Sequence, residues 1–430
     1  MDIYAVTGNP VLHSLSPVLM NAAFASAQTN AVYLKLCADT VSEVLEMVYR
    51  LNIKGLNITA PFKNEMFQVL EQQSTESCQV EAVNCYYKTD NGYVGTNTDI
   101  AGVAQSIAAF LPGLAMKKAV IIGSGGAAPA VIAALQKFNI PVLVAARNAN
   151  ALQNLKLKFG VDTCTLPEIE SKEYDILVST LPAANDVIKT TWLRKDLLVF
   201  DANYKNSVLE DYSKTFGFMF ISGKQWLLNQ AVPSFKHFTG IDIQPSDFLH
   251  ALNNVQPLTH TRIALIGFMG CGKSSVGKLL AEKLNFTHID TDTEIEKSEN
   301  SSITEIFNKR GEPYFRTLEN TCIRSLEQSD HIVVSFGGGA VMHPENRTYI
   351  LQHFLCFWLD GSPDYCLQGL DISNRPVLQT DDSLQKAAAL HAQRQPFYAQ
   401  SAHAVLNIEN KSFQQITEKI YGEIHQTFGL

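Results

Sequence analysis

Short apolar runs alternate along the whole chain with longer stretches of helical period. AVIIG (119–123) is followed by APAVIAALQKF, and IALIG (263–267) by SVGKLLAEKL. Uninterrupted apolar runs bounded by glycine predict buried strands, and apolar positions three and four apart predict helices that pack on them. Strand-then-helix alternation predicts an α/β fold with parallel sheets. The pattern lapses over Gln244–His260, which carries Pro245 and Pro257 and no strand-like run, and resumes at Arg262. The main domain boundary is expected there.

A length of 430 residues suggests two large domains or about three smaller ones. With 46% hydrophobic and 18% charged residues, the composition is that of an ordinary globular protein. The net charge of -8 and pI near 5.8 give no basic excess, so general nucleic-acid binding is not expected. Small anionic substrates need only local cations and stay open. No stretch approaches the apolar length of a membrane helix, and MDIYAVTGNP lacks the basic and apolar regions of a signal peptide. Eight cysteines form no CxxC pair and are read as free thiols in a reducing cytoplasm.

Two glycine-rich strand-to-helix turns carry the chemistry. Gly267-Phe-Met-Gly270-Cys-Gly272-Lys273-Ser274-Ser275 fits the G-x-x-x-x-G-K-[ST] phosphate loop. Its backbone N–H groups and helix N-terminus face phosphate, Lys273 neutralises the β/γ oxygens, and the Ser274 hydroxyl ligates Mg²⁺. A nucleoside triphosphate is the expected ligand. The next strand ends in Asp290-Thr-Asp292, two carboxylates that point to one side.

The other turn, Gly123-Ser-Gly125-Gly126-Ala127-Ala128, fits the dinucleotide fingerprint. NAD sites place an acid roughly 20 residues further on, and NADP sites a cation. No Asp or Glu occurs between Gly126 and Gly160, and Ala146-Arg147-Asn148 ends the second strand. Arg147 is therefore expected to meet a 2′-phosphate, which favours NADP(H).

Other clusters recur in a recognisable order. His-Ser14-Leu-Ser16-Pro, Asn57-Ile-Thr59-Ala-Pro-Phe-Lys63, Ala-Val-Asn84, Gly-Thr-Asn97-Thr-Asp99, Asp201-x-x-Tyr204 and Leu227-x-x-Gln230 together resemble shikimate dehydrogenase over residues 1 to about 245. The phosphate loop, Asp290-Thr-Asp292, Phe315-Arg316-x-x-Glu319, Gly337-Gly338-Gly339, Arg375-Pro376 and Arg394 resemble shikimate kinase over residues 261–430. The first resemblance implies that Lys63 and Asp99 form a catalytic pair, that Ser14 and Ser16 hold the substrate carboxylate, and that Thr59, Asn84, Tyr204 and Gln230 complete the substrate site. The second implies that Asp290 reaches Mg²⁺ through water and that Asp292 holds the shikimate hydroxyls. It also implies that Arg316 and Arg394 fork onto the carboxylate, that Gly338 and Gly339 offer backbone N–H groups, and that Arg375 closes over ATP.

The fold implied is a substrate lobe (1–100 plus 225–250), a Rossmann NADP-binding domain (101–224) and a P-loop kinase domain (261–430). The implied activity is a fusion acting on 3-dehydroshikimate and shikimate with NADP(H), ATP and Mg²⁺. Two other readings stay open for the N-terminal half: a quinate- or NAD-preferring dehydrogenase, and a module that has lost catalysis. Fragments 1–247 and 259–430 are expected to fold separately.

Overall fold

A computed structural model describes the chain except for residues 114–116, 182–186, 205–206, 256–257, 369–382 and 430. The strands, in chain order, are β1 Asp2–Gly8, β2 Ala31–Cys37, β3 Ile53–Ile58, β4 Cys85–Thr89, β5 Gly92–Thr96, β6 Ala119–Ile122, β7 Val142–Ala145, β8 Asp162–Cys164, β9 Ile176–Ser179, β10 Leu198–Asp201, β11 Met219–Ile221, β12 Arg262–Gly267, β13 Thr287–Asp290, β14 Ile332–Ser335, β15 Leu355–Asp360 and β16 Ala404–Asn407.

Contacts divide the chain into two compact units. One holds residues 1–17, 30–53 and 255–430, and the other holds 18–29 and 54–254. This differs from the expected division at 250–261, because the first strands group with the C-terminal part. The physical reason is sheet pairing. β16 pairs in parallel with β2, in the register Ala404↔Lys35, Val405↔Leu36 and Leu406↔Cys37. A strand edge left bare would expose a row of N–H and C=O groups, and β2 covers it.

Within the first unit the order is β13-β14-β12-β15-β16-β2-β1, with every neighbouring pair parallel. β15, Leu-Cys-Phe-Trp-Leu-Asp, is buried at all six positions. A parallel strand covered on both faces needs that continuous apolar run. The phosphate loop leaves β12 and opens the helix Lys273–Leu284, as expected from the sequence.

The second unit contains an antiparallel ribbon β3-β4-β5 and a six-stranded parallel sheet ordered β11-β10-β9-β6-β7-β8. Successive residues of β6 face opposite ways. Ile121 packs in one core with Val144 and Val178, while Val120 and Ile122 pack in the other with Leu177 and Val199. β6 lies between β7 and β9, where the strand order reverses. That is the crevice in which such sheets bind ligands.

The helix Gly223–Thr239 packs on the helix Asp99–Ala108. Gly102 makes this possible, since a Cβ there would stand 2.8 Å from the Gln230 Cβ. The segment placed at the main boundary contains a helix, Pro245–Asn253. Pro245 lies in its first turn, and Asp247 Oδ2 accepts from Gln244 N at 3.0 Å. Among the described residues no helix is long and apolar enough to cross a membrane.

Candidate active sites

The phosphate loop is built on positive-φ glycines. Gly270 (φ 79°) and Gly272 (φ 83°) occupy the left-handed region that side chains disfavour. Lys273 Nζ donates to the carbonyls of Gly267 (3.0 Å) and Phe268 (2.9 Å). The Ser274 hydroxyl donates to Asp290 Oδ2. The other Asp290 oxygen caps the helix Thr291–Glu299, accepting from Asp292 N (3.1 Å) and Thr293 N (3.2 Å). One carboxylate thus orders the turn and faces the loop serine. Among the described residues no three His, Cys, Asp or Glu side chains gather as a metal cage. The donor pair Ser274–Asp290 consists of hard oxygens. It suits Mg²⁺, which takes few protein ligands and completes its shell with water and phosphate oxygens.

Beside the loop lies a cluster of carboxylates and arginines. Arg316 Nη1 donates to Glu319 Oε2 and Nη2 to Glu312 Oε1, each at 2.8 Å. Glu319 is almost fully buried, and desolvation raises its pKa to about 7 despite Arg316. Asp292 nearby raises it further. A Cβ at Gly339 would stand 2.5 Å from the Arg316 guanidinium, so a bare backbone gives that cation its place. Arg394 is 6% exposed and donates from Nη1 to the Gly338 carbonyl at 3.2 Å. Its Nε has no hydrogen-bond partner among the described residues. Tyr398, one helical turn on, donates to the same carbonyl at 2.7 Å.

The structure therefore groups Arg316 and Arg394 around the triple glycine, and it gives Gly338 a role that its motif did not suggest, as acceptor. Glu319 and Tyr398 were not picked out as site residues. The i,i+3 and i,i+4 spacings to Arg316 and Arg394 were the available signals. Arg375 lies outside the described residues.

In the second unit, Lys63 opens the helix Lys63–Val69 and Asp99 opens the helix Asp99–Ala108. Lys63 Nζ meets Asp99 Oδ2 at 2.5 Å, with both side chains largely buried. Trp226 Nε1 donates to the Asp99 carbonyl at 3.2 Å. Asn84 Oδ1 accepts from Thr98 N at 2.7 Å, and Thr98 Oγ1 reaches Gln230 Oε1 at 3.4 Å. Ser234 Oγ joins Thr98 Oγ1 and Asn57 Nδ2, each at 3.0 Å. Thr98 and Ser234 are thus the buried links between Asn84 and Gln230. Neither was expected from the sequence, because one sits unmarked inside a motif and the other on an ordinary helix face. Thr59 ends the β3 turn, its carbonyl accepting from Phe62 N at 3.1 Å. Ser14 and Ser16 belong to the first unit, where Ser16 N donates to Ser14 Oγ at 3.3 Å.

At the dinucleotide loop, a Cβ on Gly125 or Gly126 would meet nothing within 4 Å. Chain packing does not require glycine there, whereas close approach of a pyrophosphate would. Ala127 precedes the helix Ala128–Lys137, which Pro129 starts. Gly123 has φ 113°. Arg147 is exposed at the carboxyl end of β7, and Asn148 Oδ1 caps the next helix by accepting from Ala151 N at 3.1 Å. Tyr204 follows β10, and burial pushes its pKa up to about 12.

Comparisons with known proteins match two stretches of the chain. The family model for the shikimate dehydrogenase substrate binding domain matches residues 6–86. That for shikimate / quinate 5-dehydrogenase matches 103–202, and that for shikimate kinase matches 269–425. A shikimate kinase of Geobacter metallireducens is 40% identical over 167 residues, covering 39% of this chain and 93% of the relative. A shikimate dehydrogenase (NADP(+)) of Aquifex aeolicus is 32% identical over 250 residues, covering 56% and 93%. Its crystal structure superposes with a TM-score of 0.56 at 30% identity, over 59% of this chain and 98% of that one. The shikimate 5-dehydrogenase of Thermus thermophilus, in complex with NADP(H) and shikimate, gives 0.54 at 25% identity, over 59% and 99%. The chain belongs to the shikimate dehydrogenase family in its N-terminal part and to the shikimate kinase family in its C-terminal part, and it is a bifunctional enzyme of the shikimate pathway.

Proposed function

We propose that residues 1–250 reduce 3-dehydroshikimate to shikimate with NADPH, and that residues 261–430 then phosphorylate the 3-hydroxyl of shikimate with ATP and Mg²⁺. Within the first part, 1–100 and 225–250 form the substrate lobe and 101–224 the cofactor domain. The carrying observation is that one chain holds both the Lys63–Asp99 pair at 2.5 Å and the Ser274–Asp290 contact at its phosphate loop.

NADPH supplies the hydride when bound. Lys63 donates the proton to the carbonyl oxygen on which charge develops, and Asp99 orients the ammonium. The amide and hydroxyl network of Asn84, Thr98 and Gln230 supports recognition of ring hydroxyls. Ser14 and Ser16 take the carboxylate, Thr59 and Tyr204 border the substrate, and Arg147 takes the cofactor 2′-phosphate.

ATP with Mg²⁺ supplies the phosphoryl group. Lys273 would turn from the loop carbonyls to the β/γ oxygens, and Ser274 and Asp290 would hold the metal. Asp292 holds the attacking hydroxyl. Arg316 and Arg394 converge on the carboxylate, Arg394 with a buried Nε to offer. A reducing cytoplasm fits eight free cysteines.

The test is a coupled assay on the full chain with 3-dehydroshikimate, NADPH and Mg·ATP. Loss of absorbance at 340 nm should precede ADP release, and omitting NADPH should abolish it. ADP release from added shikimate, with no NADPH oxidation by 3-dehydroshikimate, would leave only the kinase reading standing.

A further inference from the structure

We propose that Glu423, on the last helix of the kinase part, is a positioning residue for the dehydrogenase, holding the loop that presents Ser14 and Ser16. Glu423 lies on the helix Phe413–Phe428, beyond both dehydrogenase matches. Its side chain is 1% exposed. Oε2 accepts from two successive backbone amides, Val11 N and Leu12 N, each at 2.9 Å.

Two adjacent N–H groups on one oxygen fix the intervening peptide plane. Val11 and Leu12 are fully buried, so these donors need a protein acceptor, and a carboxylate is a strong one. The fixed segment leads directly into the substrate loop. Ser14 N donates to the Val11 carbonyl at 2.9 Å, and Ser16 N to Ser14 Oγ at 3.3 Å. Only one residue separates Leu12 from Ser14.

Lys419, one turn earlier on the same helix, holds the loop's approach. Its Nζ donates to Asn9 Oδ1 at 3.1 Å and to the Ala38 carbonyl at 3.0 Å. It also pairs with Asp39 Oδ1 at 3.0 Å and lies 3.5 Å from Glu423 Oε1. Lys419 and Glu423 thus bracket residues 9–12 from one helix face. All of these residues belong to one compact unit. The kinase carboxylate set, Arg316 and Arg394, makes no use of Glu423.

The inference rests on the reading that Ser14 and Ser16 hold the substrate carboxylate. The test therefore includes Ser14→Ala beside Glu423→Ala and Glu423→Gln, all in the full chain. Shikimate oxidation with NADP⁺ and shikimate phosphorylation are measured on each preparation. Losing the acceptor for two buried donors should raise the dehydrogenase KM for shikimate about tenfold, with kcat within about twofold, the signature of lost ground-state binding. Kinase kcat and KM should not move, which also reports that the helix is folded. Glu423→Gln keeps an acceptor oxygen and should stay within about threefold of the parent KM. A raised KM in Ser14→Ala with none in Glu423→Ala overturns the role of Glu423. Loss of both activities together in Glu423→Ala does so too, as a general structural effect. No change in Ser14→Ala overturns the carboxylate reading itself, and the positioning role with it.

Discussion

Arg50 donates from Nε and Nη2 to a single oxygen of Asp360, at 2.9 and 2.8 Å, and Nη2 also reaches Asn407 Oδ1 at 2.8 Å. Arg50 ends the helix Val41–Arg50 in the dehydrogenase substrate-binding match, and Asp360 ends β15 in the kinase match. The Asp360 side chain is fully buried. Desolvation pushes its pKa up while Arg50 pulls it down. Its other oxygen lies 4.0 Å from His391 Nε2, and the His391 ring stands edge-on to Phe268 of the phosphate loop, 5.3 Å between centroids. A buried carboxylate close beneath the kinase loop therefore takes its counter-ion from the other catalytic half.

The fragment 259–430, expected from sequence to fold alone, loses Arg50 and β2 together. Removing one partner of a buried ion pair costs about 3–5 kcal/mol, and the bare β16 edge invites association. The fragment should aggregate or melt roughly 10 °C below the full chain. In the full chain, Arg50→Met should lower the denaturant midpoint of the first unit, and adding Asp360→Asn should recover part of the loss. A soluble fragment with full kinase turnover, or a double variant weaker than Arg50→Met, would contradict the pair's role.

The two glycine loops and the α/β class were legible because each is local: a strand, a turn and a helix start. The Lys63–Asp99 contact, 36 residues apart in the chain, was anticipated only through the family resemblance. The Arg50–Asp360 and Glu423–Val11 contacts were not, because hydrophobic period says nothing about which strand pairs with a sheet edge. Thr98 and Ser234 escaped for a related reason. A hydroxyl in a turn or on a helix looks like solvated surface until packing buries it beside Asn84 and Gln230. The boundary helix Pro245–Asn253 was readable in retrospect from Pro245 and Asp247, start signals overshadowed by the missing strand.

Glu319 should leave a titration in kinase stability. Its folded pKa of about 7 lies above the ordinary glutamate value near 4.5, because burial outweighs Arg316. The folded state then binds more protons than the unfolded state between those values, so stability falls as pH rises through this window. Between pH 5.5 and 8 the parent should lose on the order of 2 kcal/mol relative to Glu319→Gln. Denaturation midpoints of both proteins across that range would read it, and parallel curves would exclude Glu319 as the source.

Lys63→Ala should abolish hydride transfer while phosphorylation continues. The substitution removes the proposed proton donor, whose ammonium meets Asp99, and general acid–base groups contribute roughly 10²–10⁴-fold. The kinase site lies in the other compact unit, so its turnover serves as the internal control. A fall in dehydrogenase kcat of less than about tenfold would remove Lys63 from the role.

Arg147→Asp should invert the cofactor preference. Arg147 stands exposed at the carboxyl end of β7, next to Asn148, which caps the following helix and fixes the turn. In the proposed role, its guanidinium meets a 2′-phosphate there with paired, charge-assisted hydrogen bonds. An aspartate repels that phosphate and accepts from the ribose hydroxyls of NAD instead. The NADP⁺ KM should rise by at least about tenfold, the NAD⁺ KM should hold or fall, and kcat with saturating shikimate should change little. Steady-state oxidation with each cofactor reads the ratio. An unchanged ratio would mean that Arg147 stays in solvent and that the preference is set by the loop after β9 or by residues beyond it.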